Sequence, residues 1–232
     1  MPFYMPLIDK EYLLLVVPAI LISMWAGARV KSTFRKYDQV RNARGLTGSQ
    51  VARMILDYHG LNGVAVVETP GELTDHYDPK ANVVRLSQAT YNSSSVSAVG
   101  VAAHETGHAL QYAESYFPIK IRMGILPICQ IASNMAMPLV IMGFVFWGPL
   151  VSVGIIAFAV ATLFQVITLP VEFNASNRAM YILEDAHILE GTELDGASDT
   201  LRAAALTYLA ALLVSLMNLL RLVILNNRRN GR

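Results

Sequence analysis

From Met123 to Val171 the chain carries no Asp, Glu, Lys, Arg or His. A membrane-spanning helix needs about 20 apolar residues, so this run suffices for two crossings, and Trp147-Gly148-Pro149 near its middle supplies the turn. The pattern predicts a helical hairpin, 124 to 147 and 150 to 169, within a segment 123–170. A second charge-free run, Tyr12 to Ala28, lies between Glu11 and Arg29 and ends near Trp25, a residue type that prefers the membrane interface. Its basic residues follow the apolar run, the wrong side for a signal peptide, which favours an uncleaved anchor over 12–28. The last apolar run, 203–225, is interrupted only by Arg221, placed near one end where a long side chain can snorkel to the headgroups. Four spans are predicted.

The polar pattern of 29–122 is different. Thr47-Gly48-Ser49, followed by Val51, Met54, Ile55 and Tyr58, gives a cap and an apolar stripe at helical spacing, ending near Gly60. Val64 to Glu68, Leu73 to Tyr77 and Val83 to Leu86 are short β-prone runs separated by turn residues, predicting a small sheet. Ser93-Ser94-Ser95 then caps a helix over Val96 to Tyr112.

Composition agrees with lipid replacing water over part of the surface. Of 232 residues 54% are hydrophobic and 15% charged, against roughly 25% charged in soluble chains. Disorder, collagen and disulfide scaffolds are excluded, and the single Cys129 reads as a small packing residue. A net charge of +1 gives no reason to expect nucleic acid, and the basic cluster from Arg29 to Arg44 stands beside a span, where it faces anionic headgroups.

The chemistry lies in His104-Glu105-Thr106-Gly107-His108. Residues four apart share a helix face, so both imidazoles can reach one Zn²⁺ and Glu105 can act as general base beside them. The competing reading, two satisfied surface histidines, is weakened by the small apolar residues flanking the motif. Catalytic zinc takes a third protein ligand. An even number of crossings returns the chain to the side it left, and Glu172 is the first ionisable residue to emerge. The alternative is an interfacial carboxylate that merely ends a span. Pro170 can break a long helix, so a new helix from Val171 to about Glu190 is expected, opening the segment 171–202.

The strings HETGHALQ and LPVEFNASNRA, with LTGSQVARMIL and DHYDPKANVVRLS before them, resemble the YugP-like neutral zinc metallopeptidases over most of the chain. More distantly the layout is similar to the HtpX-like and CAAX-type membrane peptidases, where a glutamate ligand in an ExxxD sequence follows a transmembrane hairpin. The resemblance implies a mainly α, polytopic helical membrane protein with a zincin-like cytosolic catalytic part containing a small β-sheet. It implies His104, His108 and Glu172 as ligands of one Zn²⁺ and Glu105 as base. Ser176 stands where the aspartate of ExxxD would be; four residues after Glu172, it can offer a ligand imidazole a hydroxyl, a weaker partner than a carboxylate. Asn174 and Asn177 can share that role.

The reaction expected is peptide hydrolysis on a polypeptide, membrane-associated substrate. Its oxyanion needs a donor, for which Arg178, Tyr181, His187 and His76 are candidates and Arg178 is favoured. The strand Val83, Val84, Arg85 and Leu86 can pair with an extended substrate if its edge is free. Eight basic residues flank the spans on the catalytic side against four on the other, which places the catalytic side in the cytoplasm of a bacterial cell and both termini outside. Two other classes stay open: a catalytically silent zinc-binding scaffold, against which Glu105 argues, and a carrier, against which the absence of ionisable residues inside the hairpin argues.

Overall fold

A computed structural model describes residues 8–230. In chain order, a π-helical turn at Tyr12–Val16 runs into helix α1 (Val17–Asp38), followed by α2 (Gly48–Tyr58), strands β1 (Ala65–Thr69), β2 (His76–Asp78) and β3 (Val83–Ser87), the single turn α3 (Gln88–Tyr91), α4 (Val96–Ala113), α5 (Phe117–Val145), α6 (Pro149–Asp185) and α7 (Thr192–Asn230). The protein is a mainly α, polytopic membrane protein with one small sheet. It divides into two units, each assembled from separated stretches of chain.

The first unit gathers the chain up to Ala26, Ile121–Leu169 and the chain from Thr207. Its helices lie in the four apolar stretches long enough to span a bilayer, Tyr12–Asp38, Phe117–Val145, Pro149–Asp185 and Thr192–Arg229. Glycine lets α5 and α6 approach closely: a Cβ on Gly154 would stand 2.6 Å from Val140 Cγ2 and 2.8 Å from the Ala136 carbonyl. Thr162 Oγ1 meets Ser215 Oγ at 2.7 Å and joins α6 to α7. Arg221 does not snorkel. It is 3% exposed, pairs with Asp9 at 2.7 Å and lies over the Tyr12 ring; a paired charge avoids the penalty of facing hydrocarbon alone.

The second unit gathers Gly27–Lys120 and Pro170–Leu206. Thr47 caps α2 through a reciprocal pair of bonds, Gln50 N–H to Thr47 Oγ1 and Thr47 N–H to Gln50 Oε1, and Val51, Ala52, Ile55 and Leu56 form its buried face. Ser95 Oγ accepts from Ala98 N–H at the start of α4. That helix has apolar neighbours on two sides. Val96, Val99, Ala103 and Leu110 pack with Ala179, Leu183, Ala197 and Leu201, while Ala102 and Ala109 pack with Val84 and Leu86 of the sheet and Ala52 and Leu56 of α2.

Three expectations are corrected. The strand order is β1-β3-β2, with β1 parallel and β2 antiparallel to β3. Val83, Val84, Arg85 and Leu86 therefore lie in the central strand, which has no free edge for a substrate; the outer edges belong to β1 and β2. The second strand starts only at His76, because Leu73 (φ 55°) and Gly71 (φ 104°) turn the backbone into the left-handed region. Finally, Pro170 does not start a new helix: α6 runs through it to Asp185. Proline removes one N–H bond, but continuing the helix keeps Val171, Ala175, Ala179 and Leu183, all fully buried, on one stripe.

Candidate metal centre

Two helices of the second unit supply the centre. α4 places His104 and His108 one above the other, with ring centroids 4.8 Å apart, and α6 brings Glu172 against them. Glu172 Oε2 lies 3.4 Å from His104 Nε2 and 3.6 Å from His108 Nε2, and one donor atom from each residue falls within 4.8 Å of the others. The two glutamate–histidine separations fit zinc: two bonds of about 2.0–2.1 Å at a tetrahedral angle hold their donor atoms about 3.4 Å apart. Glu172 is only 3% exposed. A carboxylate so deeply buried, facing two imidazole nitrogens, is a donor set suited to a divalent cation.

The close approach of the two helices depends on Gly107, between the two histidines. A Cβ there would stand 2.8 Å from the Ala175 carbonyl and 3.3 Å from Ala175 Cα. The glycine therefore sets how near the Glu172 helix comes.

Each imidazole is held from behind. Ser176 Oγ stands 3.1 Å from His104 Nδ1. His108 Nδ1 stands 3.0 Å from Oε1 of Gln111, which is fully buried. The orientation of that amide follows from its other contacts: Gln111 Nε2 donates to the Val171 carbonyl at 2.8 Å and to Asn174 Oδ1 at 2.9 Å. A carbonyl can only accept, so Oε1 must face His108 and accept from Nδ1–H. The proton on Nδ1 leaves the Nε2 lone pair directed at Glu172 and the candidate metal position.

Asn174 is fixed in turn by Arg178, whose Nε donates to Asn174 Oδ1 at 2.8 Å. Arg178 Nη2 pairs with Glu114 at 2.7 Å and the guanidinium lies over Tyr116. These contacts of Arg178, the residue favoured as oxyanion donor, orient the amide chain behind His108. Its charge also holds the Glu114 carboxyl below the usual carboxylate range. Burial opposes protonation of His108, but Glu172, Glu105 and Gln111 outweigh it and raise its pKa above the ordinary imidazole value. Glu105 is itself buried, at 9% exposure.

The other candidates lie elsewhere. His187 is exposed and paired with Glu190, His76 contacts the Thr74 carbonyl, and Tyr181 is 68% exposed. His59, at the end of α2, stacks edge-on against Tyr58. Asn177 and Tyr181 line a groove of about 820 Å³ between α2 and α6, with Met54, Tyr58, Leu110 and Ile182; none of the three candidate ligands lines it. The residues that sequence reasoning missed are Gly107 and Gln111. Both stand inside the HETGHALQ string, and only the three-dimensional packing of α6 on α4 reveals what they do.

A family model described as "Putative neutral zinc metallopeptidase" matches residues 12–227. Among curated proteins the chain is similar to the "Putative membrane protease YugP" of Bacillus subtilis (strain 168), 48% identical over 216 residues, which cover 92% of this chain and 96% of that protein. No solved structure matches the chain. The family match spans all but the two ends, and it includes both histidines and the buried glutamate: this chain belongs to the neutral zinc metallopeptidase family so described.

Proposed function

We propose that the protein is a multi-pass zinc metalloendopeptidase, holding one zinc per chain with His104, His108 and Glu172, and cleaving polypeptide segments at the membrane. The observation that carries this reading is the convergence of those three donor atoms beside a buried Glu105. When bound, zinc supplies Lewis acidity, which lowers the pKa of water toward 7 and polarises a carbonyl. The remaining chemistry is that of the chain. Glu105 is the general base, taking a proton from the attacking water and delivering it to the departing amine. Ser176 and Gln111 fix the two rings from their Nδ1 sides, so that neither imidazole must reorient during turnover. Gln111, Asn174 and Arg178 act as positioning residues.

A silent zinc scaffold has no use for Glu105, and a carrier is disfavoured by the charge-free hairpin. A membrane-tethered substrate is supported by α6, which carries Glu172 on the same helix as an apolar, span-length stretch. We place the protein in the bacterial plasma membrane with its catalytic side cytoplasmic, on the basic residues flanking its spans.

The test is metal analysis and peptide hydrolysis by the purified, detergent-solubilised chain and by Glu105→Gln. One zinc per chain in both, with hydrolysis only in the unmodified protein, is the expected result. Unchanged hydrolysis in Glu105→Gln removes the assigned base. Equal cleavage of one peptide presented in solution and on a lipid anchor removes the preference for tethered substrates.

A further inference from the structure

Several polar side chains of the membrane-spanning unit are satisfied within the chain: Thr162 by Ser215, Thr168 by the Phe164 carbonyl and Asn218 by the Val214 carbonyl. Three on α5 are not. Gln130, Ser133 and Asn134 are all exposed, and among the described residues their side chains make no hydrogen bond to another part of the chain. Their side chains face outward from the chain.

Such exposure is unremarked in water and costly in hydrocarbon, where nothing replaces the lost hydrogen bonds. Asn134 stands ten residues beyond Gly124, where the apolar part of α5 begins, and so about 15 Å into a layer about 30 Å thick. Pro138 adds to the demand. It has no N–H, so the Asn134 carbonyl, four residues earlier, lacks its ordinary helical donor. Two carboxamides, a hydroxyl and a carbonyl thus sit together near the middle of a span.

The neighbouring positions complete a seam. Pro127, Gln130, Asn134, Met137 and Ile141 follow one another by alternating steps of three and four, and all five are exposed. This is the spacing at which two helices meet in a left-handed pair.

We propose that this face of α5 is the interface of a two-fold symmetric dimer in the membrane, with a second copy of the chain as the partner. Copies inserted in a bilayer share one orientation, so a two-fold axis along the membrane normal sets each α5 residue opposite its own counterpart at the same depth. A carboxamide carries both an acceptor and donors and is its own complement. Gln130 and Asn134 therefore satisfy themselves across such an axis, whereas a partner of unrelated sequence must supply matching polar groups at two set depths. The face carries no ionisable group, so a charged partner at that depth is left unpaired.

The test uses the full-length chain in lipid vesicles, with Cys129→Ser removing the one native thiol. In that background Asn134→Cys forms a disulfide-linked dimer on mild oxidation, while Ile156→Cys, an exposed position on α6, does not. Gln130→Leu with Asn134→Leu raises the dimer dissociation constant on the order of tenfold, read by energy transfer between labelled copies, with thermal unfolding unchanged because leucine suits a lipid-facing position. Equal cross-linking at 134 and 156, a dimer indifferent to the leucine pair, or a photo-reactive group at 134 that captures another protein and never a second copy overturns the proposal.

Discussion

The candidate metal centre rests on single atoms that a motif search passes over. Gly107 reads as filler between two histidines, yet it is where the backbone of α6 touches α4. Alanine is the better helix former by about 1 kcal/mol, so propensity alone favours Gly107→Ala. The packing predicts the reverse outcome for the site: α6 is pushed away, and zinc affinity, measured by chelator competition, falls on the order of tenfold. Gln111 makes a sharper test. Gln111→Glu sets a carboxylate oxygen against the Val171 carbonyl and Asn174 Oδ1, where a donor now stands, and should weaken zinc binding about 10- to 100-fold. Asn174→Asp keeps the accepting oxygen and should bind zinc nearly as the unmodified chain does. Equal affinity in both variants would show that the amide chain does not position His108. Glu172→Ala should abolish stoichiometric zinc, while Glu184→Ala, on the exposed side of α6, should leave it intact. That the two histidines share one face of α4 was legible because helix periodicity is a local property. Gln111 was not, since its role is defined by a carbonyl sixty residues away.

Elements show the same division between local and distant information. The cap, stripe and end of α2 could be read directly, because the Thr47-Gly48-Ser49 cap and the apolar spacing act within one helix; the part of Gln50 in that cap came only with the structure. Thr47→Ala removes one half of that cap and should cost about 1 kcal/mol, seen as a lower melting temperature in detergent without loss of zinc. The hairpin was equally plain from its missing charges. Its packing was less so, since Gly154 gains its meaning only from Val140 and Ala136 on the facing helix. Substituting Gly154→Leu should prevent the close crossing and lower the yield of folded protein, whereas Gly124→Leu, with open space around it, should be tolerated. The order of the sheet was beyond sequence reading altogether. β1 and β3 pair in parallel although β2 lies between them along the chain, and nothing in the alternation of Val83 to Leu86 tells a central strand from an edge one. Pro170 misled for a related reason: its local penalty was read correctly, but the buried stripe that outweighs it belongs to the packed unit.

For the whole molecule, the ion pairs of Asp9 with Arg221 and Glu11 with Arg228 tie the first and last helices together at their outer ends. Cysteines introduced near Asp38 and near Asn230, treated in intact cells with a membrane-impermeant thiol reagent, should label only near Asn230; labelling near Asp38 alone reverses the orientation. The unit that holds the candidate ligands is also discontinuous along the chain, with the hairpin inserted between Lys120 and Pro170. That interruption imposes an order in time. During synthesis His104 and His108 emerge well before Glu172, separated from it by the entire charge-free run, which at about 5–20 residues per second takes several seconds to make. A nascent chain that ends within the hairpin has both histidines and Glu105 but not the carboxylate that completes the set, so the candidate centre can form only once the whole membrane hairpin has been made.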